Sequence, residues 1–263
     1  MHTRRVYKDL HGNHFMVRLK TIQANAFRTV FEVLKDIIND VNLIFRPDGL
    51  MVVTLDTARV TLVHMFMPAE NFEEYTCDQE CIAGLNVANT YKLLKSVTNT
   101  DTLSMTIDEQ YLLHIKIENS TKRSCTSFDF KLLDINDDML SVPEIEMTVL
   151  TTIPSVDFQR VTRDMHNLAQ DIHIKRTHGT LELECEGGFA SQKTVIECVE
   201  PGPVKPVGNI FSLKYINMFT RATSLCASVQ LMQHAEDDNM PIVFRYSVAN
   251  LGELKFYLAP KAE

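Results

Sequence analysis

Two pairs of helical segments recur in the same order in a chain that otherwise reads as β-strand, and this duplication narrows the possible folds more than any other feature. FRTVFEVLKDI (27–37) corresponds to FQRVTRDMHNL (158–168), and VANTYKLLKSV (87–97) to FSLKYINMFTRAT (211–223). Each first helix is followed by a strand, a turn and a strand. A repeat at about half of the 263 residues predicts two copies of one helix-backed antiparallel unit.

Between the helices, short apolar runs alternate with polar residues and are bounded by turn residues, the pattern of strands with one buried face. VNLIFRPDGLMVVTLD (41–56), RVTLVHMFM (59–67), TLSMTI (102–107), YLLHIKI (111–117) and SFDFKLL (127–133) read this way. So do DIHIKRTHGTLELEC (171–185), KTVIECV (193–199), SVQLMQH (228–234), IVFRYSV (242–248) and GELKFYL (252–258). Pro47-Asp48-Gly49 and His178-Gly179 are turn signals in which glycine is expected at positive φ. The helices are predicted over Gln23–Asn39, 88–96, Ser155–Leu168 and Leu213–Arg221. The first has Phe27, Val30, Phe31, Leu34 and Ile37 on one face, the third Phe158, Val161, Met165 and Leu168.

The segment LLDINDDMLSVPEIE (132–146) is acidic, contains Pro143 and breaks the alternation, so it reads as a surface linker. Leu140 and Val142 are unexpected in a solvated loop and suggest that the linker also lines a binding surface. The expected organisation is a disordered extension over 1–13, a first domain over 14–131, a linker over 132–148 and a second domain over 149–263.

Composition excludes several function classes. No run of 18 apolar residues exists to cross a membrane, and MHTRRVYKDLHGNH lacks the apolar centre of a secretory signal, so an intracellular, soluble protein is expected. The six cysteines form no CxxC pair and read as reduced thiols, mostly buried; no metal and no cofactor are expected. A P-loop, GxSxG and HExxH are all missing. Asp137-Asp138 and Glu144/Glu146 fall in the linker, where a solvated acidic surface explains them, so an enzyme is not expected.

Net charge is −8, which argues against coating nucleic acid by bulk attraction. Yet all four helices carry paired cations away from the apolar stripe: Arg28 and Lys35, Lys92 and Lys95, Arg160 and Arg163, Lys214 and Arg221. Any one pair reads as an ordinary solvated face. Recurrence on every helix of an acidic chain reads as a focused basic surface that interacts with phosphates without reading bases.

Six collinear segments resemble proliferating cell nuclear antigen: FEVLKDIINDVN (31–42), LDTARVTLV (55–63), KLLDINDDMLSVPE (131–144), RVTRDMHNL (160–168), YINMFTRAT (215–223) and LGELKFYLAPK (251–261). The resemblance implies an α+β DNA-clamp (processivity) fold: two similar domains, each of antiparallel sheets backed by two helices, assembling as a homotrimer into a pseudo-sixfold ring around duplex DNA. It implies a sliding clamp that tethers DNA polymerase and other replication and repair proteins, is opened by a clamp loader, and acts in the nucleus or a viral replication compartment. The alternatives are a subunit of a heterotrimeric checkpoint clamp and a monomeric viral processivity factor.

The resemblance also carries site residues. The partner-peptide pocket maps to Leu55, Arg59, Val60, Leu140, Val142, Pro143, Pro241, Tyr257, Ala259, Pro260 and Lys261. Subunit edges map to 125–132, with Phe128, and to 189–198, with Phe189. Arg59 stands where many members have histidine, which implies a preference for acidic partner residues, and Thr177 stands at the family's regulatory-lysine position.

Overall fold

The structure, a computed structural model, describes residues 7–8, 14–110, 112–135, 140, 147–237 and 239–261. The chain divides into two compact units, of which the first comprises 1–54, 64–140 and 248–253 and the second 55–63, 141–247 and 254–263. Of the expected amino-terminal extension, the described residues Tyr7–Lys8 form a short strand paired antiparallel with His14–Phe15.

The duplication is visible in strand order. After helix α1 (Ala24–Leu34) come strands Asp40–Arg46, Gly49–Leu55 and Thr61–Pro68; after helix α3 (Ser155–His166) come Asp171–Arg176, Thr180–Glu186 and Ser191–Glu197. In both series the three strands lie in reverse chain order, followed by the strand that leads into the second helix, Cys81–Asn86 or Val207–Ser212. Helices α2 (Val87–Leu94) and α4 (Leu213–Phe219) then lead to three consecutive antiparallel strands. Those after α2 are Asp101–Ile107, Leu112–Asn119 and Ser124–Lys131, and those after α4 are Ser228–Gln233, Ile242–Val248 and Gly252–Leu258.

Alternation decides which face of each sheet is dry. On Leu112–Asn119, Leu113, Ile115 and Ile117 are buried while His114 and Lys116 point the other way; Leu103, Met105, Ile107, Val17 and Leu19 extend the same apolar face. In the second unit Ile172, Ile174, Leu181, Leu183, Val207 and Phe211 do the same work. Phe158, Phe219, Phe244 and Phe256 form one aromatic cluster, with the Phe219 and Phe256 rings stacked at 4.5 Å. Each buried aromatic stabilises the fold by about 1.5–3 kcal/mol through removal of apolar area from water.

The helices are shorter than the periodicity predicts. α1 stops at Leu34, and a turn follows in which Ile37 and Ile38 both donate their N–H to Leu34 O. Two adjacent β-branched residues resist helix continuation, and the Asn39 carbonyl is instead engaged by Val87 N at 2.9 Å, holding the start of α2. α2 begins at Val87, capped by the Asn86 side chain, which accepts from Asn89 N at 3.0 Å. In α3 it is Thr162, not Val161, that is fully buried, its hydroxyl satisfied by Phe158 O at 2.9 Å.

One turn expectation holds and one does not. Gly49 has φ 151°, and a Cβ there would lie 2.2 Å from Met67 O, so only glycine fits. Gly179 is not at positive φ and has open space around it; the turn is closed by Thr177, whose N–H donates to Thr180 O at 2.9 Å. The linker region begins docked rather than free. Leu133 bridges to Gly84 on the edge of Cys81–Asn86, and Ile135 O accepts from Asn42 Nδ2 at 3.3 Å. Of the cysteines, Cys77, Cys81 and Cys185 are buried, Cys198 and Cys226 half-buried and Cys125 exposed, so burial covers half of them, not most. No described helix is long and apolar enough to cross a membrane.

Candidate functional site

The helix cations divide into two kinds. Arg28 Nη1 lies 2.9 Å from Glu32, Lys35 3.0 Å from Asp36, Arg160 3.1 Å from Asp157, and Arg163 4.0 Å from Asp164. With two acids beside two cations, α1 and α3 present almost no net charge. α2 carries Lys92 and Lys95 with no acid within the helix, and α4 with the 3-10 turn Thr220–Ser224 carries Lys214 and Arg221, again with none. Lys92 makes a neutral hydrogen bond to Asn89 Oδ1 at 3.2 Å, and Lys214 lies 5.7 Å from the centre of the Tyr215 ring. Lys92, Lys95, Lys214 and Arg221 are all exposed. Counted within each helix, the excess positive charge sits on the second helix of each unit.

A second candidate surface lies in the second unit. Its segment Leu55–Val63 turns sharply over residues 56–61 around the buried carboxylate of Asp56. Oδ1 accepts from Val60 N and Thr61 N, both at 2.7 Å, and Oδ2 accepts from Ala58 N at 3.1 Å. The turn holds the exposed Arg59 at φ 57°, a left-handed conformation that is uncommon for a long side chain and persists here because three backbone bonds to one carboxylate fix it. Sequence reasoning missed Asp56. The signal was an Asp preceding a Thr-Ala-Arg turn, the arrangement in which a carboxylate caps its own backbone.

The carboxyl-terminal segment joins this turn. Ala259 N donates to Val60 O at 3.2 Å, Lys261 N to Ile210 O at 2.9 Å, and Lys261 Nζ to Asp171 Oδ2 at 2.6 Å. Tyr257 is half-buried and lies on the opposite strand face from Phe256, so it is not part of the aromatic core. Leu55, Val60, Pro241 and Pro260 are half-buried, and Ala259 and Lys261 exposed. Leu140 belongs to the first unit and is exposed; Val142 and Pro143 lie outside the described residues, as do Asp137, Asp138, Glu144 and Glu146.

The edge strands are the third feature. Ser124–Lys131 is the last strand of a five-stranded sheet and Ser191–Glu197 the last of a four-stranded one. Phe128 is half-buried on the first; Phe189, just before the second, is 82% exposed, and Val195 on it is 51% exposed. Each strand end-caps its sheet with one row of backbone groups facing away from the unit. Among the described residues no group of three or more His, Cys, Asp or Glu is arranged to hold a metal ion.

The family models for the N-terminal and C-terminal domains of proliferating cell nuclear antigen match residues 16–140 and 141–261, which together cover nearly the whole chain. The chain belongs to the proliferating cell nuclear antigen family. It is 31% identical over 259 residues to a protein named probable DNA polymerase sliding clamp 1 of Paramecium bursaria Chlorella virus 1, covering 94% of this chain and 98% of that one. It is 29% identical over 257 residues to the proliferating cell nuclear antigen of Chaetomium thermophilum, again covering 94% and 98%. The four helices and the largely antiparallel sheets give the α+β architecture of the two family domains.

Proposed function

We propose that this chain is a non-enzymatic DNA sliding clamp: three copies form a closed ring around duplex DNA and tether a DNA polymerase and other replication proteins to it. The observation that supports this most directly is the match of both domain models of the family, end to end, over 16–261. Three subunits of two units each give six repeats, and the edge strands Ser124–Lys131 and Ser191–Glu197 are the ones through which sheets would pair between neighbours in this reading. The cations of α2 and α4 interact with phosphates without sequence preference, as a sliding contact requires.

The peptide-docking site in this reading is the surface around Leu55, Arg59, Val60, Pro241, Tyr257, Ala259, Pro260 and Lys261; the linker residues Leu140, Val142 and Pro143 are assigned to it by the family resemblance alone. A short peptide ending in a one-turn helix with aromatic anchors suits it, with the carboxyl-terminal backbone of the chain beside it. A polymerase held there stays at high effective concentration near its template, so processivity rises with no chemistry by the clamp. Clamp loader, DNA polymerase and other peptide-bearing proteins are the partners of this reading, in the nucleus or a viral replication compartment.

Light scattering across a dilution series tests the ring. The closed homotrimer has three times the 30.0 kDa of one chain, about 90 kDa. A mass that stays at one chain at high concentration would replace the self-sufficient ring by a subunit needing other partners, or by a monomeric factor.

A further inference from the structure

Asp56 accepts a fourth hydrogen bond, and it comes from outside the 56–61 turn: the Tyr215 hydroxyl donates to Oδ2 at 3.2 Å. Tyr215 is half-buried on α4, 159 residues away in sequence, and Asp56 is 7% exposed. The turn's own bonds fix its internal shape; the bond from Tyr215 is what ties that shape to a helix. Burial pushes the Tyr215 phenol up, and the nearby Asp56 charge pushes it further, so it stays protonated and a donor. Lys214 lies 5.7 Å from the centre of the same ring, a cation–π contact that does not need the hydroxyl.

The consequence falls on Arg59. An arginine with a long, many-rotamer side chain at φ 57° presents its guanidinium in a fixed direction only if its backbone is fixed. Val60, next to it, gives its N–H to Asp56 and its carbonyl to Ala259, so the same carboxylate also sets where the terminal segment meets the turn.

We propose that Tyr215 is a positioning residue for peptide specificity: through Asp56 it anchors the 56–61 turn to α4, so that Arg59 is held where it selects partner peptides with an acidic side chain next to their aromatic anchors. This rests on the docking site described under Proposed function. Arg59 is the contact residue and Tyr215 acts only through the turn. Removing the hydroxyl therefore weakens discrimination, not general binding, because the apolar surface of Leu55, Val60 and Tyr257 is untouched.

The test uses the full chain and two fluorescein-labelled synthetic peptides that form a one-turn helix with paired aromatic anchors and differ by aspartate or asparagine beside them. Wild type is expected to prefer the aspartate peptide. Tyr215→Phe, which keeps the ring under Lys214, is expected to weaken the aspartate peptide by about fivefold, as loss of one hydrogen bond supporting a charged contact should, and the asparagine peptide by less than about twofold. Asp56→Asn should reproduce that loss of preference, and hydrogen exchange at the Ala58, Val60 and Thr61 amides should speed up in Tyr215→Phe while solution mass stays unchanged. Undiminished preference for aspartate in Tyr215→Phe, or an equal loss for both peptides, overturns the proposal. Failure of wild type to bind either peptide overturns the docking site itself, a result distinct from binding without discrimination.

Discussion

His114 on strand Leu112–Asn119 places Nδ1 2.7 Å from Oδ1 of Asp129, its neighbour across the ladder on the edge strand Ser124–Lys131. Its Nε2 lies 3.1 Å from Oδ2 of Asp108, in the turn that precedes its own strand. One imidazole thus bridges an edge strand and the hairpin turn, on the polar face that also carries Arg18, Lys20, Lys116 and Glu118.

The bridge makes stability pH-dependent with a defined sign. Partial burial pulls the His114 pKa down, but the hydrogen bonds and charges of Asp129 and Asp108 outweigh it, and the net shift is upward. A raised folded-state value means the contribution is fully present below the ordinary histidine pKa of about 6.5 and is lost as pH rises through the folded value. Asp108 is shifted down: burial raises its pKa, and the Leu112 and Gln110 N–H groups with His114 more than reverse this, so its share is lost only in acid. His114 is 39% and Asp129 73% exposed, so screening holds the effect to about 0.5 kcal/mol or less. His114→Gln should remove a fall in edge-strand amide protection between weakly acidic and weakly alkaline pH. An identical pH profile in wild type and variant would show that the bridge does not hold the edge.

The helix charges predict an unequal response to reversal. Lys92→Glu with Lys95→Glu, or Lys214→Glu with Arg221→Glu, removes cations from helices that carry no acid. Arg160→Glu with Arg163→Glu disrupts pairs already held at 3.1 and 4.0 Å by Asp157 and Asp164. Retention on circular duplex DNA should fall further for the α2 and α4 variants, with the slope of log affinity against log salt reduced by about 1 per lost phosphate contact. Equal losses for the α2, α3 and α4 variants would mean that the ion pairs open on DNA and that α3 contributes fully.

Why the fold was legible and parts of the site were not follows from these residues. Period-two alternation places Leu113, Ile115 and Ile117 on one face from sequence alone, and heptad-like spacing does so for Phe27, Val30, Phe31 and Leu34. Helix ends depend on tertiary hydrogen bonds, such as Val87 N to Asn39 O, which no local pattern encodes. The cations were legible as residues, but their neutralisation by Glu32, Asp36, Asp157 and Asp164 depends on rotamers and neighbours. Tyr215 and Asp56 are 159 positions apart, and only folding makes them partners.

Among the described residues Arg176 is the largest fully buried side chain, and its guanidinium is satisfied by neutral oxygens. Nε donates to Thr151 Oγ1 at 2.9 Å, Nη2 to Glu200 O at 2.7 Å, and Nη1 to Thr177 O. It ties strand Val149–Pro154 and the segment after Ser191–Glu197 to its own strand. Arg176→Ala leaves three oxygens without donors and a large void, and should cost about 3–5 kcal/mol in chemical denaturation. Arg176→Lys should recover less than half, because a single ammonium does not reach three divergent acceptors. A loss under about 1 kcal/mol in Arg176→Ala would mean that the surrounding loop closes over the gap.

Tyr246 presents the opposite case. Its side chain is fully buried against Phe256, whose ring is 6.2 Å away edge-on, and its hydroxyl has no hydrogen-bond partner among the described residues. Burial pushes its pKa far up, so the group is a neutral phenol at any pH of interest. A desolvated hydroxyl without a partner costs about 1–3 kcal/mol relative to one that is hydrogen-bonded, whereas the ring contributes its packing in either residue. Tyr246→Phe should therefore leave stability unchanged or raise it by about 1 kcal/mol, with the same denaturant m-value. A loss of more than about 1 kcal/mol would mean that the hydroxyl is hydrogen-bonded in solution, with an internal water the first candidate because a buried water restores bonds to stranded polar atoms.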